Sequence, residues 1–329
     1  RKGIMENKIG RIISVNKTNW NLIYNNEIYV GIINNSYQSE TYPVVGDYVV
    51  IDIDDYSNCI IKSIYERKNY ISKLSVDKSQ EKYRKGKEQI LASNIDIVFI
   101  VTSLNNDFNI AKLERMVLVG LKGKSKIVFV LTKSDLCNYE EKEKYKNIIL
   151  NRFNYPVFIV SSYLNEGIEE LKSIWKENET AVFIGSSGVG KSTLINHLIG
   201  EDKIKTKSIR SKDDKGRHTT TSRNLYILKD NRVVIDEPGI RSVALNDDYD
   251  LNQIFSKISE LEKECKYTTC THENSDGCAV IDAINKGIIT LEELNRYKKL
   301  KLKDNRDNKR KIQKDKINYY KQTKRNHLK

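Results

Sequence analysis

The residues Gly185-Ser186-Ser187-Gly188-Val189-Gly190-Lys191-Ser192 constrain this chain more than any other stretch. They satisfy G-x-x-x-x-G-K-[ST] at every fixed position, directly after the apolar run Ala181 to Ile184 and directly before a helical pattern from Thr193 to Ile199. A strand, a glycine-rich turn and a helix in that order aim backbone N–H groups and a positive helix end at one point, as a phosphate requires. In such a loop Lys191 reaches the β- and γ-oxygens and the Ser192 hydroxyl ligates Mg²⁺, with Thr193 following on the helix. The fold must therefore bury a strand that feeds a helix N-terminus.

The neighbouring sequence has the matching period. Apolar runs at Ile95 to Val101, Ile127 to Leu131, Pro156 to Val160, Ala181 to Ile184 and Arg232 to Ile235 alternate with helical patterns at Ile110 to Leu121, Tyr139 to Asn151 and Glu169 to Trp175. Alternating buried strands and helices predict an α/β architecture with a mostly parallel sheet. Before it, five short β-type runs lie between Gly10 and Tyr65 without a helix, which fits an OB-fold or another small five-stranded barrel. Arg67 to Gln89 is charged and aperiodic and reads as a linker or mobile loop. The expected division is 1–70 for the barrel, 71–246 for the nucleotide domain and 247–329 for a helical, cysteine-bearing end; 329 residues suffice for several cores.

Asp236-Glu237-Pro238-Gly239 follows Val233-Val234-Ile235 and puts a carboxylate at a strand end, where Asp236 can hold the Mg²⁺ shell and Gly239 can face the phosphate. For the base, Thr132-Lys133-Ser134-Asp135 is nearest to the Asn-Lys-x-Asp element. Its Asp accepts both guanine N–H groups, its Lys stem covers the ring, and Leu136 follows. Ser161-Ser162, after the next strand, supplies the partner turn. Both base elements precede the phosphate loop, so the domain reads as circularly permuted. Thr132 stands where an Asn amide normally ties this turn to the phosphate loop, which predicts looser guanine selectivity. Between that loop and Asp236 lies Gly216-Arg217-His218-Thr219-Thr220-Thr221. There Thr220, with Thr219 beside it, is the candidate to close on Mg²⁺ and the γ-phosphate. Ile240 cannot orient a water, which leaves His218 either as the local candidate for that task or as an exposed loop histidine.

Cys265, Cys270, His272 and Cys278 form C-x4-C-x-H-x5-C, a Cys₃His set that suits a closed structural zinc site, with iron as the alternative. Three of the five cysteines crowd here, which favours a metal in a reducing compartment, the cytoplasm, over disulfides. From Leu291 to Lys329 there are 15 Lys/Arg against 5 Asp/Glu, leaving only +3 of the +13 net charge to the rest. Leu294, Tyr297 and Leu300 give that end helical spacing, so it reads as a phosphate-backbone contact or a solvated face. No apolar run reaches membrane-spanning length, so no membrane partner is expected. Arg1 to Ile4, ahead of Met5, reads as an upstream extension or an expression scar.

The order of these elements, with a permuted base site and this cysteine spacing, resembles the ribosome small subunit-dependent GTPase A (RsgA) family over essentially the whole chain from Ile9. Thr132 for Asn and Glu237 for the more common Thr are the departures. The resemblance implies an OB-fold, a circularly permuted GTPase domain and a zinc domain. It also implies GTP hydrolysed to GDP under stimulation by the 30S ribosomal subunit, 16S rRNA as partner, and work in late subunit maturation. A monomer is expected. Competing readings are an RNA-binding protein that only senses the nucleotide, and an ATPase of the same fold.

Overall fold

Alternating inward residues make a barrel of the N-terminal segment. In the computed structural model, which describes residues 8–54, 58–75, 87–104, 108–200, 224–236, 251–273 and 275–302, its strands are β1 (Lys8–Val15), β2 (Trp20–Tyr24), β3 (Glu27–Ile33), β4 (Tyr48–Ile53) and β5 (Cys59–Ile64). They run in the order β1-β2-β3-β5-β4, and β4 pairs back onto β1. β3 and β5 are parallel and the other barrel pairs antiparallel, so the closed five-stranded barrel has OB-fold order. Ile12, Trp20, Leu22, Val49, Ile51, Cys59 and Ile61 fill it. The Trp20 indole N–H donates to the Pro43 carbonyl at 2.9 Å, which lets this ring be buried.

Two strands, β6 (Tyr70–Ser75) and β7 (Lys87–Ser93), pair antiparallel where a linker was expected. Buried Ile71, Leu91 and Ala92 give that pair its inner side. The Asp47 carboxylate, fully buried, accepts from Arg67 Nε and Nη2 at 2.7 Å each and from Ser93 Oγ at 2.6 Å, fastening the barrel to this pair.

The α/β part then follows as β8 (Ile97–Ser103), α1 (Ile110–Lys122), β9 (Lys126–Thr132), α2 (Tyr139–Phe153), β10 (Val157–Ile159), α3 (Ile168–Ser173), β11 (Thr180–Gly185), α4 (Lys191–Ile199), β12 (Asn224–Ile227) and β13 (Val233–Asp236). Its strands lie in the order β10-β9-β8-β11-β13-β12. The first five are parallel, and β12 is antiparallel to β13. Every residue of β8 and β11 is buried, because helices cover both faces of such a sheet. Asn138 and Glu141 form a capping box that starts α2. β12 pairs onward with β1, so the barrel and the parallel sheet share one hydrogen-bonded sheet of 11 strands.

The chain divides into two compact units, residues 1–245 and 246–329. The second contains α5 (Leu251–Ile254), α6 (Ser256–Lys263), α7 (Ala279–Asn285) and helical residues 291–302, with Phe255, Ile258, Val280, Leu294 and Tyr297 buried. Among the described residues, no helix is long and apolar enough to cross a membrane.

Candidate nucleotide site and metal centre

Parallel strands end together, and in open α/β sheets the crevice beyond their carboxyl ends is where ligands sit. Thr132 ends β9, Ser161 lies just past β10, Gly185 ends β11 and Asp236 ends β13. The anticipated base and phosphate elements therefore share one sheet edge.

The phosphate loop needs its glycines. A Cβ at Gly185 would stand 2.3 Å from the Val101 carbonyl oxygen, and Gly190 takes φ +91° as it caps α4. Val189 is buried and anchors the loop, while Ser187, Gly188, Ser192 and Thr193 are exposed at its mouth. The Lys191 ammonium donates to the carbonyls of Gly185 at 2.8 Å and Ser186 at 2.6 Å. Burial raises the Asp236 carboxyl and the Lys191 charge opposes that rise, so these two groups share one electrostatic neighbourhood.

In the base turn, Lys133 adopts φ 61° and Ser134–Leu136 forms a single 3₁₀ turn, leaving Asp135 and Leu136 exposed. Ser161 Oγ donates to Asp135 Oδ1 at 2.6 Å and accepts from the Leu164 N–H at 3.1 Å, so the two base elements hold each other. Ser162 is half-buried beside them in sequence. The Thr132 hydroxyl lies 2.5 Å from the Val189 carbonyl oxygen and 3.3 Å from that of Thr102. The Thr132 hydroxyl thus ties the base turn to the phosphate loop. Thr132→Val leaves the buried Val189 carbonyl without this donor, which costs about 1–3 kcal/mol. GDP affinity should fall roughly tenfold or more by titration calorimetry; an unchanged affinity would show the tie to be idle. His218, Thr219, Thr220 and Gly239 lie outside the described residues.

In the second unit, one ligand atom from each of Cys265, Cys270, His272 and Cys278 lies within 4.8 Å of all the others, a group able to hold a metal ion. His272 Nδ1 stands 3.4 Å from Cys278 Sγ and 3.7 Å from Cys265 Sγ, and the two sulfurs are 4.0 Å apart. Two thiolates on a tetrahedral centre with bonds of about 2.3 Å are separated by about 3.8 Å, so the cluster fits such an ion. The Ser275 hydroxyl and then the His272 backbone lower the Cys270 thiol to about 6, whereas burial pushes Cys278 up. His272 turns its other nitrogen to Glu262, a partner that sequence reasoning missed because an acidic residue on a charged helix carries no spacing signal. Burial would raise the Glu262 carboxyl, but donors on Lys301, Tyr297 and His272 hold it below its ordinary value.

Fold and site together define a P-loop nucleotide-binding protein in circularly permuted order. The sequence model of the RsgA GTPase family matches residues 64–246. The protein named small ribosomal subunit biogenesis GTPase RsgA 2 of Lactiplantibacillus plantarum is 40% identical over 259 residues, which are 79% of this chain and 71% of that one. RsgA of Methanosarcina acetivorans is 38% identical over 262 residues, 78% and 69% of the two chains. The chain belongs to the RsgA GTPase family, and its reaction is GTP hydrolysis. The fold is similar to that of YjeQ from Thermotoga maritima, at TM-score 0.64 and 22% identity over 90% of this chain and 97% of that one. It is similar also to YloQ, described as a circularly permuted GTPase, at TM-score 0.61 and 20% identity over 94% and 98%.

Proposed function

We propose that this GTPase acts on the small ribosomal subunit late in its maturation, binding 16S rRNA through the barrel and the basic C-terminal sequence and leaving after hydrolysis. The convergence of the base turn, the phosphate loop and Asp236 on one sheet edge carries the nucleotide part of this reading. The names of the relatives, small ribosomal subunit biogenesis GTPases, and the net +10 from Leu291 onward support the partner.

Asp135 accepts from guanine, with Lys133 and Leu136 against the ring and Thr132, Ser161 and Ser162 holding the turn. The backbone from Gly185 to Gly190 and the residues Lys191, Ser192 and Thr193 take the phosphates, and Gly239 faces the γ-phosphate. Mg²⁺, when bound with GTP by Ser192, Asp236 and Thr220, neutralises phosphate charge. Lys191 stabilises charge on the leaving oxygens, Thr220 closes over the γ-phosphate and His218 orients water. Zn²⁺ is the ion we assign to Cys265, Cys270, His272 and Cys278, in a structural role. Domains at 1–70, 71–246 and 247–329, a cytoplasmic location and a monomer complete the proposal.

Competition of GTP and ATP for the site, with turnover measured with and without 30S subunits, tests it. Tight GTP binding unaffected by ATP and a rise in turnover on the order of 10³-fold with subunits are expected, the rise being lost in His218→Ala. Equal binding of ATP, or no stimulation, would remove the basis of this reading.

A further inference from the structure

Glu262 is the meeting point of the metal-ligand cluster and the basic helix of residues 291–302. From α6 its Oε1 lies 2.9 Å from His272 Nε2, and its Oε2 accepts from the Tyr297 hydroxyl at 2.7 Å. Lys301 Nζ donates to both oxygens, at 2.8 and 2.7 Å. Because His272 faces the sulfurs with Nδ1, a proton on Nε2 and a free lone pair on Nδ1 satisfy both sides of the ring at once. The same helix grips the ligand loop a second time, since Lys298 Nζ donates to the His272 carbonyl at 3.1 Å. His272 sits at φ 53°, a left-handed conformation that a non-glycine residue keeps only when its surroundings hold it.

We propose that Glu262 is a positioning residue that couples metal retention at Cys265, Cys270, His272 and Cys278 to the order of helix 291–302. The inference rests on the metal reading given above. A bound ion fixes the imidazole, the imidazole fixes the carboxylate, and the carboxylate anchors Tyr297 and Lys301. Coupling of this kind is reciprocal: loosening the helix weakens the hold on the ion, and removing the ion loosens the helix. The helix is also where the strongly basic end of the chain begins, so metal occupancy governs how the first of those charges are presented.

The test uses the whole 329-residue chain loaded with Zn²⁺, following zinc release to a chromophoric chelator and hydrogen exchange of amides 291–302. Glu262→Gln should release zinc about 10–100-fold faster and raise exchange in the helix while zinc is still bound. Tyr297→Phe keeps the buried ring against Phe255, 5.3 Å between centroids, and deletes only the hydroxyl. It should shift both readouts the same way, by less. Zinc release at the wild-type rate in both variants, or helix exchange unchanged when zinc is stripped from the wild type, overturns the coupling while leaving the metal site standing. A chain that takes up no stoichiometric Zn²⁺ overturns the site and the coupling together.

Discussion

Lys191→Ala should lower GTP turnover by about 10²–10³-fold, the scale on which one preorganised charge at a reacting oxyanion is worth its place. The side chain is poised for this task. Its ammonium rests on the carbonyls of Gly185 and Ser186, within the glycine-rich loop that leads into α4. A phosphate would offer that ammonium a far stronger partner than two neutral carbonyls. The substitution should leave the fold intact, because α4 is held by Leu194, Ile195, Leu198 and Ile199, all buried on its other side. Steady-state phosphate release checks the rate, and thermal unfolding checks the fold. Turnover near the wild-type level in a folded protein would show that the Lys191 charge never reaches the phosphates.

The parts of this site that could be read in the sequence are those whose signal is local. An unbroken apolar run such as residues 97–101 must be buried on both faces, and the loop after Ala181 to Ile184 declares itself by spacing alone. Asp236 and the Ser161 turn were legible for the same reason, since each stands at the end of such a run. The strands β6 and β7 were not, because neither YISKLS nor KEQILAS alternates with period 2, and a register shift between Ile71 and Ser72 breaks the pairing further. β12 has four residues and owes its place to the partners β13 and β1 on either side. The Thr132 contact with Val189 joins positions 57 apart, and a threonine in an asparagine's place looks like a loss until the fold brings its hydroxyl to the phosphate loop. Glu262 was hidden in the same way: its partners come from positions 10, 35 and 39 residues away.

Cys278→Ser should have the largest effect on stability, confined to the unit of residues 246–329. Cys278 does two jobs: its sulfur belongs to the metal-ligand cluster, and it accepts from the Ile281 N–H at 3.4 Å as the N-cap of α7. Serine is a better N-cap than cysteine and a far poorer soft ligand, so the substitution keeps the cap and removes the ligand. Whatever is lost is then due to the ion. A structural zinc contributes on the order of 10 kcal/mol of apparent binding energy in small units with thin cores, and this unit has a thin one built around Phe255, Ile258, Val280, Leu294 and Tyr297. Forfeiting one thiolate should release the metal and let amides between 251 and 302 exchange freely. GDP affinity is the internal control: every described residue of the nucleotide site lies between 102 and 236, so that affinity should stay unchanged. A Cys278→Ser chain with a full complement of zinc and protected amides would mean that three ligands suffice. Loss of zinc with protection intact would mean instead that the packing of Phe255 and Tyr297 holds the unit without its ion.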